Sequence, residues 1–236
     1  MKPKLNNKID YSNIKKKFEK SNYVVIEDFL DEKYAEELYN FLNYEMPLDW
    51  WYSVSLSDKD QDFMTTRNLV ENKYRIIQER LMAERTFNKG DFSYHFYRTL
   101  NDHIEECTCR ECEFRKWVVG EEFLKALNKM TGMKFTRYAT LFASKYSEGC
   151  FLSPHTDESN GDIGFVLQLT KDWLPQWGGL LTFLNDDCDK ITDVKIPKFN
   201  ALTLFKLPDQ KGKWHYVSHV NQGVKKSRIA ITGWFV

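Results

Sequence analysis

The chain has 236 residues, of which 42% are hydrophobic and 15% aromatic, a length and composition typical of one globular domain with a substantial core. Lysine plus arginine and aspartate plus glutamate each total 34, so no excess of positive charge favours binding to nucleic acid or to an anionic membrane. No apolar run approaches the roughly 20 residues of a membrane span, and the basic N-terminus lacks the apolar core of a signal peptide. These features predict a soluble, cytoplasmic protein.

The first part of the chain combines helical patterns with isolated strands. Asp31 is a typical helix N-cap, and Tyr34, Leu38 and Leu42 would share one face of the helix that follows it. Residues 47–64 show no clear periodicity and are predicted to form a loop. The predicted helices cover 8–22, 31–45, 66–85 and 113–130, the last ended by a Thr-Gly pair, and the predicted strands cover 22–30 and 92–100.

From residue 135 onward the pattern changes to short apolar runs separated by Gly, Pro, Asn and Asp. Seven candidate strands follow at this spacing, which indicates an antiparallel sandwich or barrel. The fold class predicted is therefore α+β with a mainly β core. We expect one domain over 1–236, with 1–134 as mostly helical support and lid and 135–236 as the β core. The seven strands are predicted at 139–146, 163–170, 179–184, 194–199, 201–207, 214–220 and 228–236.

Five cysteines are present, and Cys107, Cys109 and Cys112 are crowded together. This usage is more typical of reduced thiols than of the disulfide framework of a secreted protein. With His103, the three cysteines offer four ligands for a closed zinc site. The spacing is not that of a usual zinc knuckle, and buried thiols are common in cores. The sequence leaves this question open.

The segment SPHTDES, residues 153–159, places His155 and Asp157 two positions apart. In a strand, side chains at i and i+2 point to the same face, so both could bind one metal ion. A third ligand is available from His215 or His219 in the strand-like WHYVSHV. Two histidines and one carboxylate leave positions open on the metal, as in non-haem Fe(II) oxygenases, whereas structural zinc takes four closed ligands. An exposed His-x-Asp pair without any metal is the alternative.

The C-terminal strand predicts a second feature of the site. Arg228 and Thr232 would share one face, and Ile229 and Ile231 the other. A buried arginine needs a partner, and its planar fork suits a bidentate carboxylate. No acidic residue lies within the strand, so a dicarboxylate co-substrate is one candidate partner. A surface arginine on an edge strand is the alternative.

The order of these features resembles the 2-oxoglutarate and Fe(II)-dependent dioxygenases, in particular the prolyl-hydroxylase-like branch with hypoxia-sensing and ribosomal-protein prolyl hydroxylases. The motifs that carry the resemblance are HTDESNGD, LTKDW, WGGLLTF, IPKFNALTLF, HYVSHV and RIAITGW, in the family's order. The resemblance runs from about residue 20 to the end, with 47–135 poorly matched. It implies a double-stranded β-helix, a jelly-roll variant, buttressed by N-terminal helices.

The resemblance also implies roles for individual residues. His155, Asp157 and His215 would be the iron ligands and the catalytic centre. The family's H-x-V-x-x-V pattern selects His215, although the shorter spacing from His219 to Arg228 also occurs in some relatives, so His219 stays an alternative. Four residues of strand span roughly 13 Å, so both cannot bind one metal.

For the co-substrate, the resemblance implies that Arg228 pairs with the distal carboxylate of 2-oxoglutarate. Tyr146 matches a tyrosine that lines the site, and Thr232 could share the carboxylate. Each of these two could equally be a packing residue. Gln168 stands where hypoxia-sensing relatives have a tyrosine that contacts 2-oxoglutarate, which puts that contact in doubt.

The function implied is hydroxylation of a C–H bond with Fe(II), 2-oxoglutarate and O2, with ascorbate as an accessory reductant and release of succinate and CO2. Because Asp157 is present, hydroxylation is favoured over halogenation. A prolyl residue of a protein or peptide is the expected substrate; a free amino acid or small metabolite, and a non-catalytic jelly-roll that binds a ligand or metal, are the alternatives. The balanced charge argues against a nucleic-acid demethylase. Trp50, Trp51, Arg67 and Arg98 fall in the expected lid, although as core aromatics and solvated charges they would need no such role.

Overall fold

The computed structural model describes residues 2–57, 64–100, 106–157, 160–207 and 213–236. Five α-helices support the sheet. A π-helical turn follows the second helix, and two short 3-10 turns lie in connecting segments. No helix within these ranges is both long enough and apolar enough to cross a bilayer. The α-helices are α1 (Tyr11–Ser21), α2 (Glu32–Asn40), α3 (Lys73–Phe87), α4 (Arg110–Val118) and α5 (Glu121–Thr131).

Twelve strands form one antiparallel sheet in the described residues, with the order β1-β10-β7-β12-β5-β4-β6-β11-β8-β9 and β2 paired with both β3 and β4. The first part of the chain therefore supplies strands as well as helices. The strands are β1 (Tyr23–Ile26), β2 (Tyr52–Leu56), β3 (Met64–Thr66), β4 (Tyr94–Arg98), β5 (Tyr138–Tyr146), β6 (Phe151–His155), β7 (Ile163–Gln168), β8 (Leu181–Leu184), β9 (Ile191–Lys195), β10 (Ala201–Lys206), β11 (His215–Val217) and β12 (Arg228–Phe235).

The main core lies between the helices and one face of strands β7 and β12. Phe165 of β7 contacts Phe29, Phe123 and Phe235, with ring centroids 6.3, 6.1 and 5.6 Å apart. All four rings are buried. Ile229, Ile231 and Phe235 of β12 belong to this core, so alternation along the strand turns Arg228 and the even-numbered residues toward the opposite face. The opposite face is where the site lies.

Local sequence signals account for several helix ends. Asp31 caps α2 by accepting a hydrogen bond from the backbone N–H of Tyr34. Gly132 follows α5 with φ of 74°, a left-handed conformation that glycine adopts without strain. Tyr34 and Leu38 are fully buried, as the predicted helical face requires.

Three predictions of secondary structure were wrong. The expected loop at 47–64 contains β2, which alternates apolar and polar residues over only five positions and is held as a strand by pairing with both β3 and β4. The single helix expected at 113–130 is two helices, because Gly120 adopts extended backbone angles and starts α5. The strand expected at 194–199 lies earlier, as β9, and is followed by Pro197, which has no N–H to donate to a ladder.

His103, considered with the three cysteines as a zinc ligand, lies outside the described residues.

Candidate metal and co-substrate site

A cavity of about 250 Å³ opens within the curled sheet. The neighbouring strands β10, β7, β12 and β5 border it from one half of the strand order, and β4, β6, β11 and β8 border it from the other half. Every site residue predicted from the sequence borders it: His155, Asp157, His215, Arg228, Tyr146 and Thr232. The fold thus gathers into one cavity residues that are up to 86 positions apart in the chain, as Tyr146 and Thr232 are.

His155, Asp157 and His215 converge at one end of this cavity. His155 ends β6 and stands directly opposite His215, the first residue of β11. Nε2 of His155 lies 3.5 Å from Oδ1 of Asp157, and Nε2 of His215 lies 3.4 Å from Oδ2. The three ligand atoms are all within 4.8 Å of one another, a spacing at which one metal ion can contact them together. Asp157 lies beyond the end of β6, so strand alternation does not explain its position.

Backbone carbonyls fix the orientation of both imidazoles. Nδ1 of His155 is 3.0 Å from the carbonyl oxygen of Ser153, and Nδ1 of His215 is 2.8 Å from that of Lys213. A carbonyl can only accept, so each Nδ1 donates and each Nε2 is the ring nitrogen that faces Asp157. Metal-binding histidines in proteins are commonly held in this way.

The carboxylate of Asp157 is buried and has three polar neighbours. Burial opposes its ionisation, but hydrogen bonds with His155 and His215 outweigh burial and hold the pKa of Asp157 below its usual range. Asn160 donates a side-chain hydrogen bond of 3.1 Å to Oδ1. The carboxylate is therefore charged and oriented. Asn160 was not singled out from the sequence, and its only signal there is an amide three residues after the aspartate.

Arg228 begins β12 and is 2% exposed. Its Nε and Nη1 atoms have no hydrogen-bond partner in the parts of the chain that the structure describes. The guanidinium carbon lies 5.0 Å from the ring centre of Tyr146, and burial lowers the pKa of Arg228 to about 10, an effect that Tyr146 partly offsets. A buried cation without an anion is costly, so these nitrogens fit a carboxylate that enters with a ligand.

Tyr146 and Thr232 border the same space. Tyr146 is buried, burial raises its pKa, and its ring stacks on Phe96 with centroids 5.1 Å apart. Thr232 shares a hydrogen bond of 3.2 Å with the hydroxyl of Ser144. Both side chains are placed where they could contact a ligand held by Arg228.

Several residues considered from the sequence lie elsewhere. His219 is stacked on Phe151, with centroids 4.1 Å apart, and is not part of the converging triad. It lies past the end of β11, so it does not share the strand face of His215. Trp51 is buried in the main core, and the guanidinium of Arg67 lies over the ring of Tyr52. Of the four expected lid residues, Arg98 alone borders the cavity.

Gln168 ends β7 and pairs with Ala230 of β12, two positions from Arg228. It is 5% exposed, and its Oε1 atom has no hydrogen-bond partner within the described ranges. The amide therefore occupies a buried polar position beside the arginine, although it does not border the cavity.

An aromatic wall that the sequence did not suggest stands beside the triad. Phe92 lies 5.7 Å from the ring of His155, and Tyr94 lies between Phe92 and Phe96 with centroid distances of 5.8 and 5.5 Å. Arg98, two residues further along β4 from Phe96, places its guanidinium 3.7 Å from the ring centre of Phe142. The strand was predicted, but which of its faces borders the cavity follows only from its place between β5 and β6.

Comparisons with known proteins bear on this geometry. Residues 141–236 match the model of the 2OG-Fe(II) oxygenase superfamily. This stretch contains the triad and Arg228. The enzyme class predicted from the sequence, a 2-oxoglutarate-dependent dioxygenase, is confirmed, and so are Fe(II), 2-oxoglutarate and O2 as the cofactor and co-substrates that the family implies.

Solved structures show the same fold. A prolyl-4-hydroxylase from Pseudomonas putida aligns with a TM-score of 0.56 and 14% identity, covering 96% of this chain and 98% of that one. A prolyl hydroxylase from Trichoplax adhaerens, in complex with a hypoxia inducible factor oxygen degradation domain peptide fragment, aligns with a TM-score of 0.62 and 16% identity, covering 95% and 88%.

A 2OG-Fe(II) oxygenase family oxidoreductase from Burkholderia pseudomallei aligns with a TM-score of 0.60 and 13% identity, covering 97% of this chain and 91% of that one. A search of curated proteins finds no sequence match. The double-stranded β-helix with supporting helices, predicted from the sequence, is thereby confirmed.

Proposed function

We propose that this oxygenase hydroxylates a C–H bond with His155, Asp157 and His215 as its iron ligands and Arg228 as the partner of the distal carboxylate of 2-oxoglutarate. The observation that carries the proposal is the buried guanidinium of Arg228, with two nitrogens lacking partners within the described residues, in the same cavity as the triad. A metal site alone would not need this cation. A co-substrate with a carboxylate at each end would use one carboxylate at the metal and pair the other with the guanidinium of Arg228.

Each residue then has a defined task. The triad supplies two neutral imidazole nitrogens and one carboxylate, a donor set that suits Fe(II) and leaves coordination positions for co-substrate and O2. When bound, iron and 2-oxoglutarate supply the oxidising chemistry, with succinate and CO2 as co-products. Arg228 would orient the co-substrate through its carboxylate, with the hydroxyls of Tyr146 and Thr232 nearby. The surrounding aromatic side chains exclude water, which strengthens these electrostatic contacts.

The substrate that we propose is a prolyl residue in a protein or peptide. Two observations support it. The Trichoplax relative binds a peptide fragment in a fold of the same kind. The mouth of the cavity beside His155 is bordered by Phe92 and Tyr94, flat apolar surfaces on which a pyrrolidine ring can pack.

A free amino acid or other small acid is the second candidate, and Arg98 favours it. Its guanidinium borders the cavity, and burial, with a contribution from Arg115, lowers its pKa to about 10. If Arg228 takes the carboxylate of 2-oxoglutarate, Arg98 offers a second cation for a substrate carboxylate. A prolyl residue inside a peptide has no carboxylate to use it.

The first experiment measures succinate formation from 2-oxoglutarate under air with Fe(II) and ascorbate, without added substrate. We expect slow turnover by the unaltered protein and none above background by His155→Ala or Arg228→Ala. The exposed Arg137 provides a matched control, since Arg137→Ala removes the same charge far from the cavity. If 2-oxoglutarate neither turns over nor binds the metal-loaded protein in calorimetry, the proposal is wrong and a non-catalytic jelly-roll becomes the better account.

A second experiment separates the two substrate classes. Proline-containing peptides and free amino acids are tested for substrate-dependent succinate release, and products are examined by mass spectrometry for a mass gain of one oxygen. For a free acid, Arg98→Met should raise the KM by roughly 30-fold or more, the effect of removing one partner from a buried charge pair. For a prolyl peptide, the same change should leave the KM within a few-fold.

A further inference from the structure

The three cysteines Cys107, Cys109 and Cys112, called here the cysteine cluster, bring their sulfur atoms within 4.8 Å of one another. Cys112 is fully buried, and the other two are half-buried. All are thiols and not disulfides. The cluster lies at the start of α4, on the outer side of the sheet from the cavity, and none of its members borders the triad site.

Backbone amides point at the sulfurs of this cluster. The N–H of Cys109 donates to Sγ of Cys107 at 3.4 Å, and the N–H of Cys112 donates to Sγ of Cys109 at 3.5 Å. Cys109 is also the N-cap of α4, where the helix dipole favours negative charge. Lys116 donates a hydrogen bond of 2.8 Å to the carbonyl oxygen of Cys107, which ties the segment to the helix. Two backbone donors therefore point at sulfurs that would become thiolates when a cation binds.

As thiolates, three sulfurs at this distance would repel one another. A divalent cation would offset that repulsion, because metal binding deprotonates cysteine and supplies the opposite charge. Tetrahedral zinc with Zn–S bonds of about 2.3 Å places its sulfurs about 3.8 Å apart, within reach of the spacing seen.

We propose that the cysteine cluster is a structural site for a thiophilic d10 cation, with Zn²⁺ as the expected occupant. Three thiolates leave one position of a tetrahedral ion for a fourth ligand. The site is chemically distinct from the triad, because sulfur selects zinc and related soft cations whereas the triad offers nitrogen and oxygen.

The position of the cluster gives the cation a structural effect. Within α4, Glu111 of the first turn and Arg115 one turn later form a fully buried ion pair of 2.6 Å. Nη1 of Arg115 donates to the carbonyl oxygen of Leu141 at 2.5 Å, and Nη2 donates to the hydroxyl of Thr99 at 2.8 Å. These contacts fasten α4 to β5, the strand that carries Tyr146. A cation that fixes the first turn of α4 would thus stabilise one wall of the cavity.

Metal content provides the first test. Protein purified without chelators should hold about one zinc per chain at the cysteine cluster. Cys107→Ser and Cys109→Ser should lose it, whereas Cys188→Ser, in the turn between β8 and β9, should keep it. Serine is itself a good N-cap, so Cys109→Ser removes the ligand and retains the helix start. Circular dichroism confirms that each variant is folded.

Cobalt substitution distinguishes this site from the triad. Co²⁺ bound by thiolates gives intense sulfur-to-metal charge-transfer absorption, which imidazole and carboxylate ligands do not produce. We expect this absorption in the unaltered protein and in His155→Ala, and its loss in Cys107→Ser. The proposal is overturned if the absorption is absent from the unaltered protein, or if bound zinc is lost in His155→Ala and retained in the cysteine variants.

A third measurement needs no variant. Added Zn²⁺ should slow alkylation of the cluster thiols by a maleimide at least tenfold, with Cys188 as an internal reference whose rate does not change. Equal rates with and without zinc for all of these thiols would contradict the proposal and leave the cluster as ordinary packing.

Discussion

Arg228→Met removes the guanidinium of Arg228 and keeps an unbranched side chain that can fill the same space. In the unaltered protein, two guanidinium nitrogens face the cavity without partners within the described residues. Removing one member of a buried, hydrogen-bonded charge pair costs about 2–5 kcal/mol. At about 1.4 kcal/mol per tenfold, affinity for 2-oxoglutarate should fall by roughly 30-fold to several thousand-fold.

Although Arg228→Met should weaken binding of 2-oxoglutarate, it should not lower the thermal stability of the protein without co-substrate. Without co-substrate, Arg228 is a buried cation whose pKa burial lowers to about 10, so the folded state bears the cost of its charge. Methionine removes that cost. The Tm of the variant without 2-oxoglutarate should therefore stay the same or rise, by roughly 2–4 °C for each kcal/mol gained in a chain of this size.

Two measurements check this pair of expectations. The KM for 2-oxoglutarate is taken from succinate formation, and thermal unfolding is recorded with metal present, with and without 2-oxoglutarate. The unaltered protein and Arg137→Met should gain Tm with 2-oxoglutarate, and Arg228→Met should not. A KM within about threefold of the unaltered value, or a large loss of Tm in the absence of 2-oxoglutarate, would refute the reasoning and make Arg228 a structural residue.

Three further outcomes are expected. In Gly164→Ala the added Cβ would meet the ring of Phe205 at 2.3 Å, so the unfolding free energy should fall by about 1–3 kcal/mol. Because the ring centroid of Phe205 lies 4.9 Å from that of His215, a shift of Phe205 should also lower the affinity of the triad for Co²⁺. Unchanged metal affinity would contradict this. Glu111→Leu leaves Arg115 buried without its anion and should cost about 3–5 kcal/mol in urea unfolding, much of it regained by adding Arg115→Met. Fe(II) added without oxygen at 100 times its Kd for the triad should raise the unfolding free energy by about 2.7 kcal/mol, and a variant lacking one triad histidine should show no such gain.

The sequence predicted which residues line the candidate site better than it predicted how the fold brings them together. His155, Asp157 and Arg228 stand out because metal-binding and carboxylate-binding side chains are chemically distinctive and lie in recognisable motifs. The choice between His215 and His219 needed the family pattern, since both looked like members of one strand. The structure shows that β11 ends at residue 217, which leaves His219 packed on Phe151 instead.

Local periodicity also set a limit on what could be predicted about the first part of the chain. β2 alternates apolar and polar residues over only five positions, and its serines Ser53 and Ser55 are buried by the strands on either side, so its place in the sheet depends on pairing with β3 and β4. The break between α4 and α5 depends on one glycine that an amphipathic pattern tolerates. In both cases the deciding factor is what packs against the segment, and a window of sequence does not contain it.

The sequence by itself determined the strand-rich second half, the donor types of the metal site and the face of β12 that carries Arg228, because these follow from residue chemistry and from the two-residue period of a strand. The tertiary structure alone decided that β4 lies between β5 and β6, which turns Phe96 and Arg98 into the cavity. It also decided that the cysteine cluster converges at the start of α4. Sheet order and helix placement depend on contacts between distant parts of the chain, and such contacts are formed by the free energy of packing the whole core, which no local pattern records.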